Sequence, residues 1–199
     1  MQISRRTQAD RTAATRTALI AAGRRLFAEH GFAGVGTETI VRDADVSRGA
    51  LYHHFGDKTE LFAAVLADVE GEVTQQLAAT IDADADFVTL MMRSVQAWLD
   101  ACQRPEVQRI VLIDGPAVLG WARWREICQP HILGLIEGVL AVGVRDETLK
   151  ELPVKPLAHV LLAVADEAAL YVGASQEPEA ARRDMEAVIR PLVEALLRR

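Results

Sequence analysis

One short segment near the N-terminus concentrates side chains that can donate hydrogen bonds to nucleic acid. Arg48 carries the planar donor pair that matches the O6 and N7 edge of guanine. Tyr52, His54 and Lys58 carry donors that suit DNA phosphates. Catalysis or metal binding by His53 and His54 is a poor alternative, because no carboxylate, cysteine or further histidine has ligand spacing nearby. The segment therefore indicates DNA contact, with an ordinary solvated helix surface as the alternative.

Two short helices joined by a tight turn would present these donors. Thr37 is an N-cap candidate for the first helix, whose free N–H groups offer a further phosphate site. Ser47 ends the three-residue connection and caps the second helix. Gly49 and Ala50 are small, so the first turn of that second helix can enter the DNA major groove deeply. The pattern predicts a helix-turn-helix motif over residues 37–55.

Two helices this short need a third helix to pack on. The preceding sequence supplies one, which ends at Gly31, a residue suited to the left-handed conformation that terminates helices. After the motif, Asp57 and Glu60 have the spacing of a capping box that starts a long fourth helix. The apolar residues of the motif that face the first helix are Ile40, Ala44, Val46, Leu51 and Phe55. Residues 1–60 are therefore predicted to form a three-helix DNA-binding domain.

Charge is distributed unevenly along the 199 residues, which carry a net charge of −6. Residues 1–60 hold nine Arg and Lys against seven Asp and Glu, a balance of +2, whereas residues 61–199 have a balance of −8. A basic end can face phosphates while the acidic bulk points away from them. Arg5 and Arg6 fit either a disordered tail or an arm that reaches into the minor groove.

Composition favours helices over sheets, because the apolar half of the chain is mainly Ala, Leu and Val and aromatic residues are only 5 %. Helical periodicity continues to the end of the chain, with a bend expected near Pro130. The further helices are predicted at 88–102, 105–114, 121–144, 157–174 and 178–197. The fold class is thus all-α with about nine helices and no strand, and residues 61–199 form a second helical domain. Asp114 precedes Gly-Pro, which indicates a helix-capping or turn residue.

Several other function classes find little support. An enzyme with an accessory DNA-binding head is disfavoured, because residues 66–199 show no nucleophile–base pair, phosphate loop or metal motif. No cofactor is indicated. The N-terminus lacks the apolar stretch of a signal peptide, and the longest apolar run, 132–144, is interrupted by Glu137 and too short to span a bilayer. The sequence predicts a cytoplasmic protein that is not bound to a membrane.

Residues 12–65 resemble the DNA-binding domain of the TetR family of bacterial repressors. The resemblance rests on Gly31-Phe32, on Thr37 and Ile40, and above all on the run ADVSRGALYHHFGDKTEL over residues 44–61. It implies that residues 48–54 form the recognition helix. It also implies phosphate contacts from Thr37, Tyr52, His54 and Lys58, and base-edge contacts from Arg48, Gly49, Ala50 and His53.

The resemblance implies that the remaining helices form a variable domain, which dimerises through the last two long helices and usually encloses a small-molecule pocket. The protein would then be a homodimeric repressor released from a palindromic DNA operator by a small-molecule effector. An effector-independent DNA-binding or architectural protein is the alternative, which a solid C-terminal core would favour.

Two residue sets are candidates for these roles. Six aromatic, sulfur-containing or aliphatic side chains could line an effector pocket, although core packing explains any single one equally well. They are Met91, Met92, Val95, Trp98, Trp121 and Trp124. Two apolar stripes on the last helices could form the dimer interface, with burial inside a monomer as the alternative: Leu161, Val164, Ala168, Val188, Leu192 and Leu196.

Overall fold

The computed structural model describes residues 8–82 and 84–198, so that Arg5 and Arg6 lie outside the described residues. Within those ranges the fold is all-α, with nine α-helices and no β-strand, which confirms the predicted class. Two π-helical segments, Val107–Asp114 and Gln129–Leu133, flank the sixth α-helix. The α-helices are α1 (Gln8–Gly34), α2 (Thr37–Asp43), α3 (Arg48–Phe55), α4 (Lys58–Ala78), α5 (Phe87–Cys102), α6 (Gly115–Cys128), α7 (Gly134–Arg145), α8 (Val154–Ala174) and α9 (Pro178–Glu194).

The predicted three-helix arrangement is present, with α1 as the wall on which α2 and α3 pack. Phe27 of α1, Ile40 of α2 and Leu51 of α3 are all fully buried. Gly31 has a φ of +71°, a conformation that only glycine adopts without strain, and helical hydrogen bonding resumes beyond it as far as Gly34. Phe32 then folds back on α1, where its ring centroid lies 5.8 Å from that of Phe27.

The observed helix caps agree only in part with those predicted from the sequence. Ser47 and Asp57 cap α3 and α4 as predicted, since their side chains accept hydrogen bonds from the third residue beyond them. Thr37 is not an N-cap. Gly36 takes that place, because its carbonyl accepts the first helical bond, from the N–H of Ile40 at 3.3 Å. Glu60 does not complete a capping box, since its carboxylate binds Arg123.

The middle of the C-terminal half is helical over a longer stretch than predicted. The expected end near Asp114 is wrong, because the chain runs straight from the first π-helical segment into α6. Pro116 stands just after this junction, at the start of α6. The break comes instead at Gly120, with a φ of +74°. The second break lies at His131, close to the bend expected near Pro130.

Two helical stretches, Val107–Arg145 and Val154–Ala174, are long and apolar enough to cross a membrane by length and composition alone. The core helices of soluble proteins pass the same test. In the fold, Leu133 and Leu140 of the first stretch and Ala158 and Leu162 of the second pack in the core. Core packing therefore explains part of the apolar character of both stretches. Other apolar residues of these helices stay exposed.

Candidate nucleic-acid interface and effector cavity

α3 presents one face to the core and the opposite face to solvent. Leu51 and Phe55 are buried, because they lie on the side that packs against α1. The predicted DNA-contacting residues lie mostly outward: Ser47, Arg48, Gly49, Tyr52 and His53 are exposed, and Thr37, Ala50, His54 and Lys58 are half-buried. The hydroxyl of Ser47 accepts a hydrogen bond from the N–H of Ala50 at 3.2 Å, so its first role is to start the helix.

Arg48 is held in place on this outward surface by two neighbours. Its Nη1 donates to Oε1 of Glu38 at 2.7 Å, and its Nη2 lies 3.4 Å from the hydroxyl of Tyr52. The guanidinium carbon also lies 5.5 Å from the centroid of the Tyr52 ring. Tyr52, and after it Glu38, raise the pKa of Arg48. Sequence reasoning missed Glu38, because only the turn between α2 and α3 brings their first helical turns together.

Lys58 lies beside the DNA-contacting surface, and its side chain also forms hydrogen bonds within the fold. Its Nζ donates to the carbonyl oxygens of Phe32 and Val35, each at 2.9 Å, and lies 4.0 Å from the centroid of the Phe32 ring. These bonds tie the start of α4 to the loop that leads into α2. An ammonium group has three donors, so one remains for the predicted phosphate contact.

Several polar contacts join the DNA-binding helices to the C-terminal half, among them the bonds from Arg24 of α1 to Glu106 at 2.8 and 3.0 Å. Arg123 of α6 donates to Glu60 of α4 at 2.5 Å and lowers the pKa of that carboxyl group. Asp114, expected to be a cap or turn residue, accepts the N–H of Phe32 at 2.8 Å. It thus binds a backbone group freed by the break at Gly31. Arg123 lies in α6 and Asp114 in the π-helical segment directly before it, so these two contacts connect this stretch to α4 and α1 of the N-terminal half.

The C-terminal half contains a cavity among α4, α5, the second π-helical segment, α7 and α8, with a volume of about 60 Å³. Of the residues predicted to line a pocket, Met91, Val95 and Trp98 do so. The complete wall consists of Leu77, Ile81, Met91, Ser94, Val95, Trp98, Ile132, Leu135, Ile136, Val139, Leu161, Leu162 and Ala165.

Three predicted pocket residues are not part of this wall. Met92 is buried but is absent from the cavity lining. Trp121 is 64 % exposed and stacks on His159 with ring centroids 6.2 Å apart. Trp124 is buried elsewhere, with the guanidinium of Arg125 at 4.2 Å from its ring centroid. Helical periodicity does not distinguish these tryptophans from Trp98, because each of the three has apolar residues about one helical turn away in the sequence.

A buried polar cluster lies between α4, α6 and α8, and sequence reasoning gave no sign of it. Glu70 is 2 % exposed, and its Oε1 accepts a hydrogen bond from the thiol of Cys128 at 3.3 Å. Its Oε2 has no partner among the described residues. Burial raises the pKa of Glu70 to about 7. Nearby, Arg125 pairs with Asp166 at 3.2 Å, and burial raises the pKa of Asp166 to about 6.

The residues predicted at the dimer interface divide into three groups. Ala168 is fully buried inside the monomer and Leu161 lines the cavity, so neither is presented on the outer surface as the prediction required. Val188 and Leu192 of α9 are 57 % and 51 % exposed. Val164 and Leu196 are half-buried. Sequence reasoning missed two exposed apolar residues of α8, Val160 and Tyr171.

Comparisons with known proteins agree with this arrangement. Residues 19–65 match the family of bacterial regulatory proteins described as the tetR family, and residues 88–196 match the Tetracyclin repressor-like C-terminal domain. A solved TetR-family transcriptional regulator from Pectobacterium atrosepticum is 32 % identical, with a TM-score of 0.79 over 98 % of this chain and 99 % of that chain. RolR, solved with resorcinol, has a TM-score of 0.72 at 17 % identity over 96 % and 99 % of the two chains, and shows the fold alone.

Curated relatives match over shorter stretches. The transcriptional repressor AcnR of Corynebacterium efficiens is 41 % identical over 56 residues, which is 28 % of this chain and 30 % of AcnR. The nucleoid occlusion factor SlmA of Shewanella amazonensis is 28 % identical over 136 residues, 65 % of this chain and 68 % of SlmA. The N-terminal match, the C-terminal match and the full-length structural likeness point to one conclusion. The chain belongs to the TetR family of DNA-binding transcription regulators.

Proposed function

We propose that this protein is a homodimeric cytoplasmic repressor, which a small-molecule effector releases from a palindromic operator. Residues 1–60 bind DNA, and residues 61–199 bind the effector and form the dimer. The observation that carries this proposal is the physical connection between the two parts. The cavity is bordered by Ile132, Leu135, Ile136 and Val139, and the two segments that precede them in the chain bond to the helix-turn-helix domain through Asp114 and Arg123.

The DNA-contacting surface of the proposal comprises the start of α2, the outward face of α3 and the start of α4. Arg48, Gly49, Ala50 and His53 read base edges, with the small residues allowing close approach to the major groove. Thr37, Ser47, Tyr52, His54 and Lys58 hold the sugar-phosphate backbone and set the register. A single helix of eight residues reads only a few base pairs, so two copies about one helical turn apart are needed for specificity.

An effector-independent DNA-binding protein is the second candidate, and the similarity to SlmA favours considering it. This candidate predicts a solid C-terminal core. An apolar cavity that opens to solvent in the C-terminal half supports the effector-controlled regulator instead.

The dimer is proposed to form through exposed apolar residues of α8 and α9, namely Val160, Tyr171, Val188 and Leu192. Large apolar side chains left more than half exposed on two adjacent helices are typical of a surface that a partner covers. Two antiparallel helices from each copy would then form a four-helix bundle.

Sedimentation analysis at micromolar concentration tests the dimer. We expect a mass of twice the 21.8 kDa chain for the wild type, and a single-chain mass for the Val188→Glu, Leu192→Glu variant. Arg190→Glu is the matched control, because it adds the same side chain at another exposed position of α9. A single-chain mass for the wild type contradicts the dimer and the palindromic operator together.

Selection on random duplex DNA, followed by footprinting of the selected sequence, tests the regulator. We expect an inverted repeat whose two half-sites are separated by about one helical turn. Selected DNA with no common sequence would favour the architectural alternative.

A further inference from the structure

The largest exposed apolar side chain among the described residues is that of Trp121 in α6, which is 64 % exposed. The other two tryptophans, Trp98 and Trp124, are 2 % and 7 % exposed. Gly120, with its φ of +74°, breaks the helix directly before Trp121, and the next residue, Ala122, is exposed as well. A single exposed apolar residue is ordinary, so the question is whether Trp121 belongs to a larger apolar surface.

Trp121 lies against the outer face of α8. Its ring stacks on the imidazole of His159, with ring centroids 6.2 Å apart. His159 is a surface neighbour of Pro156 and Ala163, both exposed, because residues three and four apart lie side by side on a helix. Val160, the next residue of α8, is 58 % exposed. The apolar surface of α8 therefore continues onto α6 through this stack.

The outer face of α8 carries little charge. Its residues recur every three or four positions and are all exposed: Pro156, Val160, Ala163, Glu167, Tyr171 and Ala174. Glu167 is the one charged member of this face. The neighbouring helix α9 packs against α8 and adds the exposed side chains of Val188 and Leu192. This is the surface through which the dimer is proposed to form.

The exposed apolar residues of α8 and α9 are too few to form a stable dimer by themselves. A stable interface buries about 800 Å² on each partner and involves about 20 to 30 residues a side. The two helices expose only four large apolar side chains, those of Val160, Tyr171, Val188 and Leu192. The contact must therefore extend onto the adjoining surface, where Trp121 lies. Tryptophan is also among the residues enriched at the energetic centres of interfaces.

We propose that a second copy of this chain covers Trp121, so that α6 joins α8 and α9 in the dimer interface. This inference rests on the proposed function, since it extends the dimer of the same regulator to a third helix. Arg123, two residues beyond Trp121, binds Glu60 of α4. The partner copy then contacts the same helix that bonds to the N-terminal half.

Acrylamide quenching of tryptophan fluorescence in the full-length protein at pH 8 tests the inference, because Trp98 and Trp124 are buried within each single chain. The Val188→Glu, Leu192→Glu variant is the single-chain reference, in which the emission of Trp121 should be readily quenched. In the wild type at micromolar concentration, we expect this readily quenched emission to be lost. Adding Trp121→Phe to each protein removes the emission of Trp121 and so identifies it in both.

Sedimentation over a dilution series gives a second measurement. Trp121→Ala should raise the dissociation constant of the dimer about ten-fold or more, because truncation of a buried interface tryptophan removes a large contact. Glu126→Ala is the matched control, since it truncates an exposed side chain on another side of α6 and should leave the dissociation constant unchanged. Circular dichroism shows whether each variant keeps its helices.

A two-chain mass for the wild type, with Trp121 quenched as readily as in the single-chain variant, would overturn this inference and leave the proposed dimer intact. An unchanged dissociation constant in Trp121→Ala has the same meaning. Equal protection of Trp121 in the single-chain variant also overturns it, because the ring would then be covered within its own chain. A single-chain mass for the wild type contradicts the dimer itself, so the two failures are distinguishable.

Discussion

Replacing Glu70 by glutamine should make the protein more stable at pH 8 and should change how its stability depends on pH. Glu70 is buried, and one of its carboxylate oxygens has no hydrogen-bond partner among the described residues. The other oxygen accepts the thiol of Cys128, a bond that a glutamine carbonyl can keep. Glutamine therefore imitates the protonated form of the side chain at every pH.

Folding raises the pKa of Glu70 from 4.5 to about 7 because burial disfavours the charged form. The folded protein then binds this proton more tightly than the unfolded chain, so the free energy of unfolding falls as pH rises from 4.5 through 7. A tenfold change in proton affinity is worth about 1.4 kcal/mol. The ionised carboxylate thus costs the folded state about 3 kcal/mol at pH 8, and Glu70→Gln removes this cost.

Urea unfolding at a fixed protein concentration, repeated between pH 4.5 and pH 8, measures the effect. The gain in unfolding free energy from Glu70→Gln should be small at pH 4.5 and should grow toward about 3 kcal/mol at pH 8. Asp166, whose pKa also rises, interacts electrostatically with Glu70, so part of the difference between the two proteins comes from this pair.

Glu72→Gln is the matched control, two residues along α4. Arg24, and after it Arg104, lower the pKa of Glu72, so its contribution to stability is present above the unfolded pKa and is lost as pH falls. The control should destabilise the protein at pH 8 and lose this effect in acid. An equal gain from Glu70→Gln at pH 4.5 and pH 8 would refute the reasoning, because the carboxylate would then carry no buried charge.

Three further substitutions test the DNA-contacting surface. Tyr52→Phe should weaken binding to selected and scrambled duplexes nearly equally, because it removes a phosphate donor but keeps the ring and the Glu38 bond that hold the base reader Arg48. A titration of both duplexes at one salt concentration shows it. Arg48→Ala should lower the preference for one base pair per half-site about five-fold or more, and a repeated selection on random DNA that returns the unchanged sequence would make it a backbone contact. Lys58→Met should destabilise the protein by about 2 kcal/mol in thermal unfolding, because the carbonyls of Phe32 and Val35 lose a charged donor. It should also reduce the slope of log affinity against log salt by about 0.9 per half-site, or about 1.8 for the dimer, if its third donor meets a phosphate.

Local features of the fold were predictable because short segments of sequence determine them. The cap of α3 at Ser47 needs only a hydroxyl three residues before a free N–H, and the bend at Gly31 needs only a residue that tolerates positive φ. The all-α class follows from Ala- and Leu-rich periodicity in the same way. Even here, the cap of α2 shifted from Thr37 to Gly36, since neighbouring residues compete for that place.

Contacts between distant segments were not predictable from this single sequence. The pairs Arg48–Glu38 and Arg123–Glu60 depend on how helices meet, and a charged residue on a helix surface has many opposite charges within reach. The same limit explains why the sequence did not show which tryptophan lines the cavity. Trp98 and Trp121 both stand on helices with apolar neighbours, but only the packing of α5 against α4 and α8 turns Trp98 to the cavity.

The bonds from Asp114 to Phe32 and from Arg123 to Glu60 have a thermodynamic consequence for the proposed regulator. Two binding events that act through the same contacts share one coupling free energy, and that coupling is reciprocal. If the effector weakens DNA binding by a given factor, DNA must weaken effector binding by the same factor. Copies seated on an operator would then need a higher effector concentration than free copies do. The effector concentration at which the gene responds would then depend on how much free protein exists in excess over the operators.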